Sequence, residues 1–126
     1  MNVTQFTIRV VGPQVWDPSL DNIDVEVVMA DGRRYGATFF TLRNIERLFD
    51  KNRETGECQS GLYLWAANMI LVRELSFDVI HRTVDDLIAS GEFEQSFGWL
   101  GERPVSGDQA DPSRDDLQHT DPGNLR

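Results

Sequence analysis

Phe6, Ile8 and Val10 alternate with Thr7 and Arg9, the period of a strand with one face buried. Gly12-Pro13 closes that strand and a polar loop follows over 14–22. Within it Trp16 is either a loop anchor in the core or an exposed contact. Ile23, Val25, Val27 and Met29 alternate with Asp24 and Glu26. Asp31-Gly32 then supplies the two positive-φ positions of a tight hairpin turn, and Tyr35, Ala37 and Phe39 alternate on the return. The pattern predicts a hairpin over 23–40. Successive strand residues face opposite ways, so Phe39 and Phe40 cannot share a face.

At Thr41 the period changes. Thr41 is a good N-cap, and Leu42, Ile45, Leu48 and Phe49 recur at helical spacing, predicting a helix to about Asn52. The aromatic-rich run Gly61-Leu62-Tyr63-Leu64-Trp65-Ala66 predicts a fourth strand and Met69–Val72 a fifth, with Ala67-Asn68 as a tight turn or a bulge between them. Tyr35, Phe39, Phe40, Tyr63 and Trp65 are read as core aromatics. Ser76 caps a second helix whose stripe is Phe77, Ile80, Val84, Leu87 and Ile88, and Ser90-Gly91 stops it. Residues 92–100 form a short amphipathic or irregular segment that folds back through Phe93, Phe97, Trp99 and Leu100. The expected order is β-β-β-α-β-β-α. It implies an α+β fold with a mostly antiparallel sheet of about five strands and two helices on one face.

The pattern stops near Gly101. From Glu102 to Arg126 there is no aromatic residue, and the apolar side chains are Val105, Ala110, Leu117 and Leu125. Such a stretch cannot offset the entropy of ordering, which predicts one domain over 1–101 and a disordered acidic tail over 102–126. The tail carries net −3, leaving −6 on the domain.

Charge narrows the classes of function. The 126-residue chain carries 21 acids against 12 lysines and arginines, a net charge of −9. That balance argues against nucleic acid and against anionic membranes. It is compatible with a basic protein partner. The single cysteine, Cys58, excludes an intramolecular disulfide and fits a reducing compartment. The N-terminal run lacks a basic segment and a long apolar stretch, so the expectation is a cytoplasmic protein.

Candidate chemistry is sparse. No glycine-rich phosphate loop, nucleophile elbow, CxxC or HExxH is present, which predicts no catalytic, cofactor or metal residues. His81 has Asp78 and Asp85 three and four residues away, on one helical face. A solvated face accounts for that trio better than a metal site does. Cys58 follows Glu57, an acid that disfavours a reactive thiolate. Asp85 and Asp86 are adjacent on a helix, so their side chains diverge and cannot act as a paired acid and base. Arg43, Arg47 and Lys51 form a basic row beside Glu46 and Asp50, the pattern of intrahelical ion pairs.

From Arg73 to Gln95 six acids face two arginines. Together with Trp99 they suggest a surface for a basic partner: Glu74, Asp78, Asp85, Asp86, Glu92 and Glu94, with Trp99 as the aromatic anchor. The stretches Thr38–Ile45, Lys51–Glu57, Tyr63–Ala66 and Asp85–Phe93 resemble a group of small uncharacterised bacterial proteins, some of immunity-protein type. The resemblance spans most of 23–100 and rests on turn, cap and core residues. It implies a protein-binding domain that masks a basic partner such as a toxin. The alternatives are an enzyme or small-molecule binder with a pocket near Tyr63, Trp65 and His81, and a homodimeric structural protein.

Overall fold

A computed structural model describes residues 5–102. The tail expected from Glu102 onward lies, apart from Glu102 itself, outside the described residues. The domain is α+β, with a mostly antiparallel, open five-stranded sheet and four helical segments. Strands β1 (Phe6–Val11), β2 (Ile23–Met29) and β3 (Arg33–Phe40) form an antiparallel meander. Alternation along each strand sorts the side chains onto two faces. Ile8, Val10, Val25, Val27, Tyr35 and Phe39 face the core. Thr7, Arg9, Asp24, Glu26, Arg34 and Thr38 face the other way. Phe39 lies in the core, and Phe40, on the opposite face, is buried as well.

The long central strand β3 has one flank on β2 and shares its other flank between two short strands. Strand β4 (Met69–Leu71) pairs in parallel with residues 38–40, and β5 (Gly98–Glu102) pairs antiparallel with residues 33–36. Asn68 occupies the gap between them. It enters β4 from a turn at φ +53°, its carbonyl accepts from the Thr38 amide at 3.1 Å, and its Nδ2 donates to the Ser96 carbonyl at 3.4 Å. A side chain on Gly98 would come within 2.5 Å of the Asn68 carboxamide, so a larger residue in β5 would have to displace the Asn68 side chain. Ala67-Asn68 is therefore a turn.

Two helical segments complete the core: α3 (Phe77–Ser90), through Ile80 and Val84, and α4 (Phe93–Ser96), through Phe93. Ser76 caps α3 by accepting from the Val79 amide. Trp16 settles as a loop anchor: its Nε1 donates to the Leu75 carbonyl at 2.7 Å, and its ring packs on the core and edge-on to Phe77.

Two expectations need correction. Helix α1 (Leu42–Thr55) does not supply a core face, since its buried residues are Asn44 and Asn52. It is tied instead to the 17–22 loop. Thr41 Oγ1 donates to the Ser19 carbonyl at 2.6 Å, and Asn44 Nδ2 donates to the Leu20 carbonyl at 2.8 Å. The second correction concerns residues 61–66, which form no strand. Residues Glu57–Gly61 make the helical turn α2, and 62–66 run on without regular structure. The flank of β3 is filled by β4 and β5, so that aromatic run has no strand to pair with. The order is thus β-β-β-α-α-β-α-α-β, and the final strand comes from the 92–100 region.

The turn α2 winds left-handed. Cys58, Gln59 and Ser60 sit at φ between 53° and 56°. Each non-glycine residue in that region costs about 1–2 kcal/mol. Gly61 follows at φ +82°, where a Cβ would lie 2.8 Å from the Phe49 carbonyl oxygen. That close approach locks α2 against α1.

Candidate protein-binding surface

The acids expected to form one patch are distributed over two regions and are partly neutralised. On α3, Asp78 pairs with Arg82 at 3.3 Å. Asp85 and Asp86 are exposed on the same helix, and Glu74 is exposed in the segment before it. No cation pairs with these three among the described residues. Glu92 accepts a hydrogen bond from Ser90 Oγ at 3.1 Å. Glu94 lies 3.7 Å from Arg33 Nη1 and accepts from the Tyr35 hydroxyl at 3.4 Å. Trp99 stands edge-on to Tyr35 with ring centroids 5.5 Å apart, and more than half of it is exposed. The structure therefore brings Glu94 and Trp99 together around Tyr35, while the outer face of α3 holds Asp78, Asp85 and Asp86.

His81 is not gathered with Asp78 and Asp85 into a ligand set. Its ring lies 4.8 Å from that of Phe6 on β1, and Asp78 turns to Arg82. Among the described residues no group of three or more histidine, cysteine or acidic side chains is arranged to hold a metal ion. No helix among them is long and apolar enough to cross a membrane.

The open face of the sheet carries a charged cluster over β1–β3. Glu26 is 2% exposed although it faces away from the core. Its Oε1 accepts from Arg9 Nε at 2.8 Å, and its Oε2 accepts from Arg34 Nη1 at 2.9 Å. Burial alone would raise the Glu26 pKa. The hydrogen bonds and charges of Arg34 and Arg9 outweigh it and hold the carboxyl below its ordinary value. Arg34 Nη2 also donates to the Leu100 carbonyl at 2.8 Å, fastening β5 to the cluster.

Beyond this cluster the surface turns apolar. Register places Met69 beside Thr38 and Leu71 beside Phe40, on the open face. Leu100 covers Gly36 on that face, 3.0 Å from where a Cβ would stand. All three side chains are exposed. The preceding run is more exposed still: Leu62 at 76%, Tyr63 at 50% and Trp65 at 73%. Tyr63 and Trp65 were expected in the core. They lie outside it because 62–66 has no strand partner to press them against the sheet. Sequence pattern misses this surface for that reason, since aromatic density alone reads as a buried strand.

Two open concavities flank β4. One is lined by Thr41, Leu42 and Arg43 at the start of α1 and by Leu71, Val72 and Arg73. The other shares Leu71–Arg73 and is walled by α3. Tyr63, Trp65 and His81 line neither of these two concavities. Compared with known proteins, the chain matches no family model, no curated protein and no solved structure.

Proposed function

We propose that this chain is a protein-binding domain that masks a partner, in the manner of an immunity or inhibitor protein. The observation that carries the reading is the exposed run Leu62, Tyr63 and Trp65, followed by Met69 and Leu71 on the open sheet face. Contiguous exposed apolar and aromatic side chains mark interaction surfaces, and tryptophan and tyrosine are the residues that most often carry binding energy. The charge of −9 and the acids Glu74, Asp85 and Asp86, unpaired among the described residues, would steer a basic partner toward this surface and raise the association rate more than the affinity.

The test is affinity capture from a lysate of the source organism, using the full chain and a Tyr63→Ala/Trp65→Ala variant. Both side chains are at least half exposed, so the variant should melt as the parent does. A basic protein retained by the parent should be lost from the variant, with affinity reduced by about 2 kcal/mol or more. Equal retention by both would refute the aromatic surface. Loss on reversing Asp85 and Asp86 instead would move the contact to α3.

A further inference from the structure

We infer that the groove between the start of α1, β4 and α3 is a second docking surface of opposite sign, built for an acidic peptide segment that also carries aliphatic side chains. It goes beyond the masking function proposed above and does not depend on it.

The inference starts from the cations. Nine arginines and lysines fall among the described residues, and seven of them pair with a carboxylate: Arg9, Arg33, Arg34, Arg47, Lys51, Arg53 and Arg82. In a chain with so many acids that is the expected outcome. Arg43 and Arg73 are the exceptions. Neither side chain takes an ion pair or hydrogen bond among the described residues, and both line the same concavity.

Arg43 is placed against local electrostatics. It sits in the first turn of α1, where the helix dipole disfavours a cation, and no acid accompanies it there. Among the described residues no ion pair or hydrogen bond offsets that placement.

The floor between the two arginines is apolar. Leu42 is 66% exposed and Leu71 53%, with Val72 beside them. Past Arg73 the surface continues along α3 over Val79 and Leu87, where Arg82 and Asp86 add one charge of each sign. The two concavities share Leu71, Val72 and Arg73, so they form one continuous path. Their charged lining is Arg43, Arg73, Arg82 and Asp86; Arg82 is offset by Asp78, so Arg43 and Arg73 against Asp86 leave a small positive excess on a molecule of net −9.

Charge complementarity selects the occupant. A guanidinium pairs with a carboxylate through a planar bidentate fork. Two such forks across an aliphatic floor fit a segment in which acids alternate with leucine-like side chains. A polyphosphate or nucleic acid would bring far more negative charge against the net −9 of the chain and would leave the apolar floor unused.

The experiment is peptide display on the immobilised full chain, in parallel with an Arg43→Glu/Arg73→Glu variant. Peptides that place aspartate or glutamate next to aliphatic residues should be enriched on the parent and not on the variant. A selected peptide, measured by fluorescence anisotropy, should bind the variant at least about tenfold more weakly. If the charge reversal lowers the melting temperature, Arg43→Gln/Arg73→Gln replaces it. Enrichment that survives both substitutions, enrichment of basic or uncharged peptides, or no enrichment at all would overturn the proposal. Self-association of the parent that the arginine substitutions abolish would hand the groove to a second copy and overturn it too.

Discussion

At the scale of single residues, Glu26 shows how a position that reads as solvent-facing can become buried. Its place in the alternation is polar, and the sequence puts it on the open face correctly. Its burial comes from Arg9 and Arg34, which reach across from neighbouring strands and lay their side chains over it. The Glu26 pKa in the folded chain is depressed below the ordinary 4.5. Its stabilising contribution is therefore complete above pH 4.5 and is lost as pH falls through the lowered folded value. Glu26→Gln should cost about 2–3 kcal/mol at neutral pH, because two guanidinium groups lose a charged acceptor and one of them is largely buried. The variant should also lose stability less steeply below pH 4.5 than the parent. Some slope should remain, because Asp17 and Asp31 are lowered as well, by backbone hydrogen bonds from Ser19 and Leu20 and from Arg33. Thermal melts of both chains between neutral pH and the acid range check this, and parallel curves would refute it.

At the scale of elements, caps and periods were legible and pairing was not. Thr41 and Ser76 cap their helices as their sequence positions predict, because an N-cap hydrogen bond needs only residues three apart. The hairpin over 23–40 also forms, but its turn differs from the expected pair of positive-φ positions: the loop is 30–32, the Gly32 amide donates to the Met29 carbonyl at 2.9 Å, and of Asp31 and Gly32 only Gly32 has positive φ, at +95°. Nothing in Glu57-Cys58-Gln59-Ser60 signals three successive left-handed residues. They lead into Gly61, where a Cβ would lie 2.8 Å from the Phe49 carbonyl oxygen. Ser60 is exposed and sits at φ +56°. Glycine adopts that conformation without the side-chain penalty, though it is more flexible when unfolded. Ser60→Gly should therefore stabilise the chain by about 0.5–1 kcal/mol, a rise of a few degrees in Tm. A calorimetric scan showing a lower Tm would refute the left-handed turn.

Across the whole molecule, the division of labour between the helices follows from where each is anchored. Both long helices are amphipathic in sequence and similar in length. Only α3 packs its stripe on the sheet, with Ile80 and Val84 fully buried, whereas α1 is bound to the 17–22 loop and keeps Ile45, Leu48 and Phe49 only half-buried. Ile80→Ala should cost about 2–5 kcal/mol, the penalty of a cavity in a close-packed core. Ile45→Ala should cost clearly less. Urea titrations of the two variants measure the difference, and equal losses would mean that α1 belongs to the core after all.

The sequence by itself determined the class of the fold, the meander of the first three strands, the inward residues along them, the starts of both long helices and the end of α3; α1 runs on to Thr55, past the expected end near Asn52. All of these depend on neighbours within a few positions, whose periodicity and capping chemistry act before any long-range contact. Tertiary structure alone decided which segments fill the free flank of β3, because strand pairing there is a competition between pieces of chain far apart in sequence. Met69–Leu71 and Gly98–Glu102 take that flank, and Asn68 and Gly98 close the seam between them. The aromatic run at 62–66, equally strand-like in composition, is left outside. The same competition leaves Tyr63 and Trp65 in solvent, and Arg43 and Arg73 meet in one groove only once β4 has docked beside the start of α1.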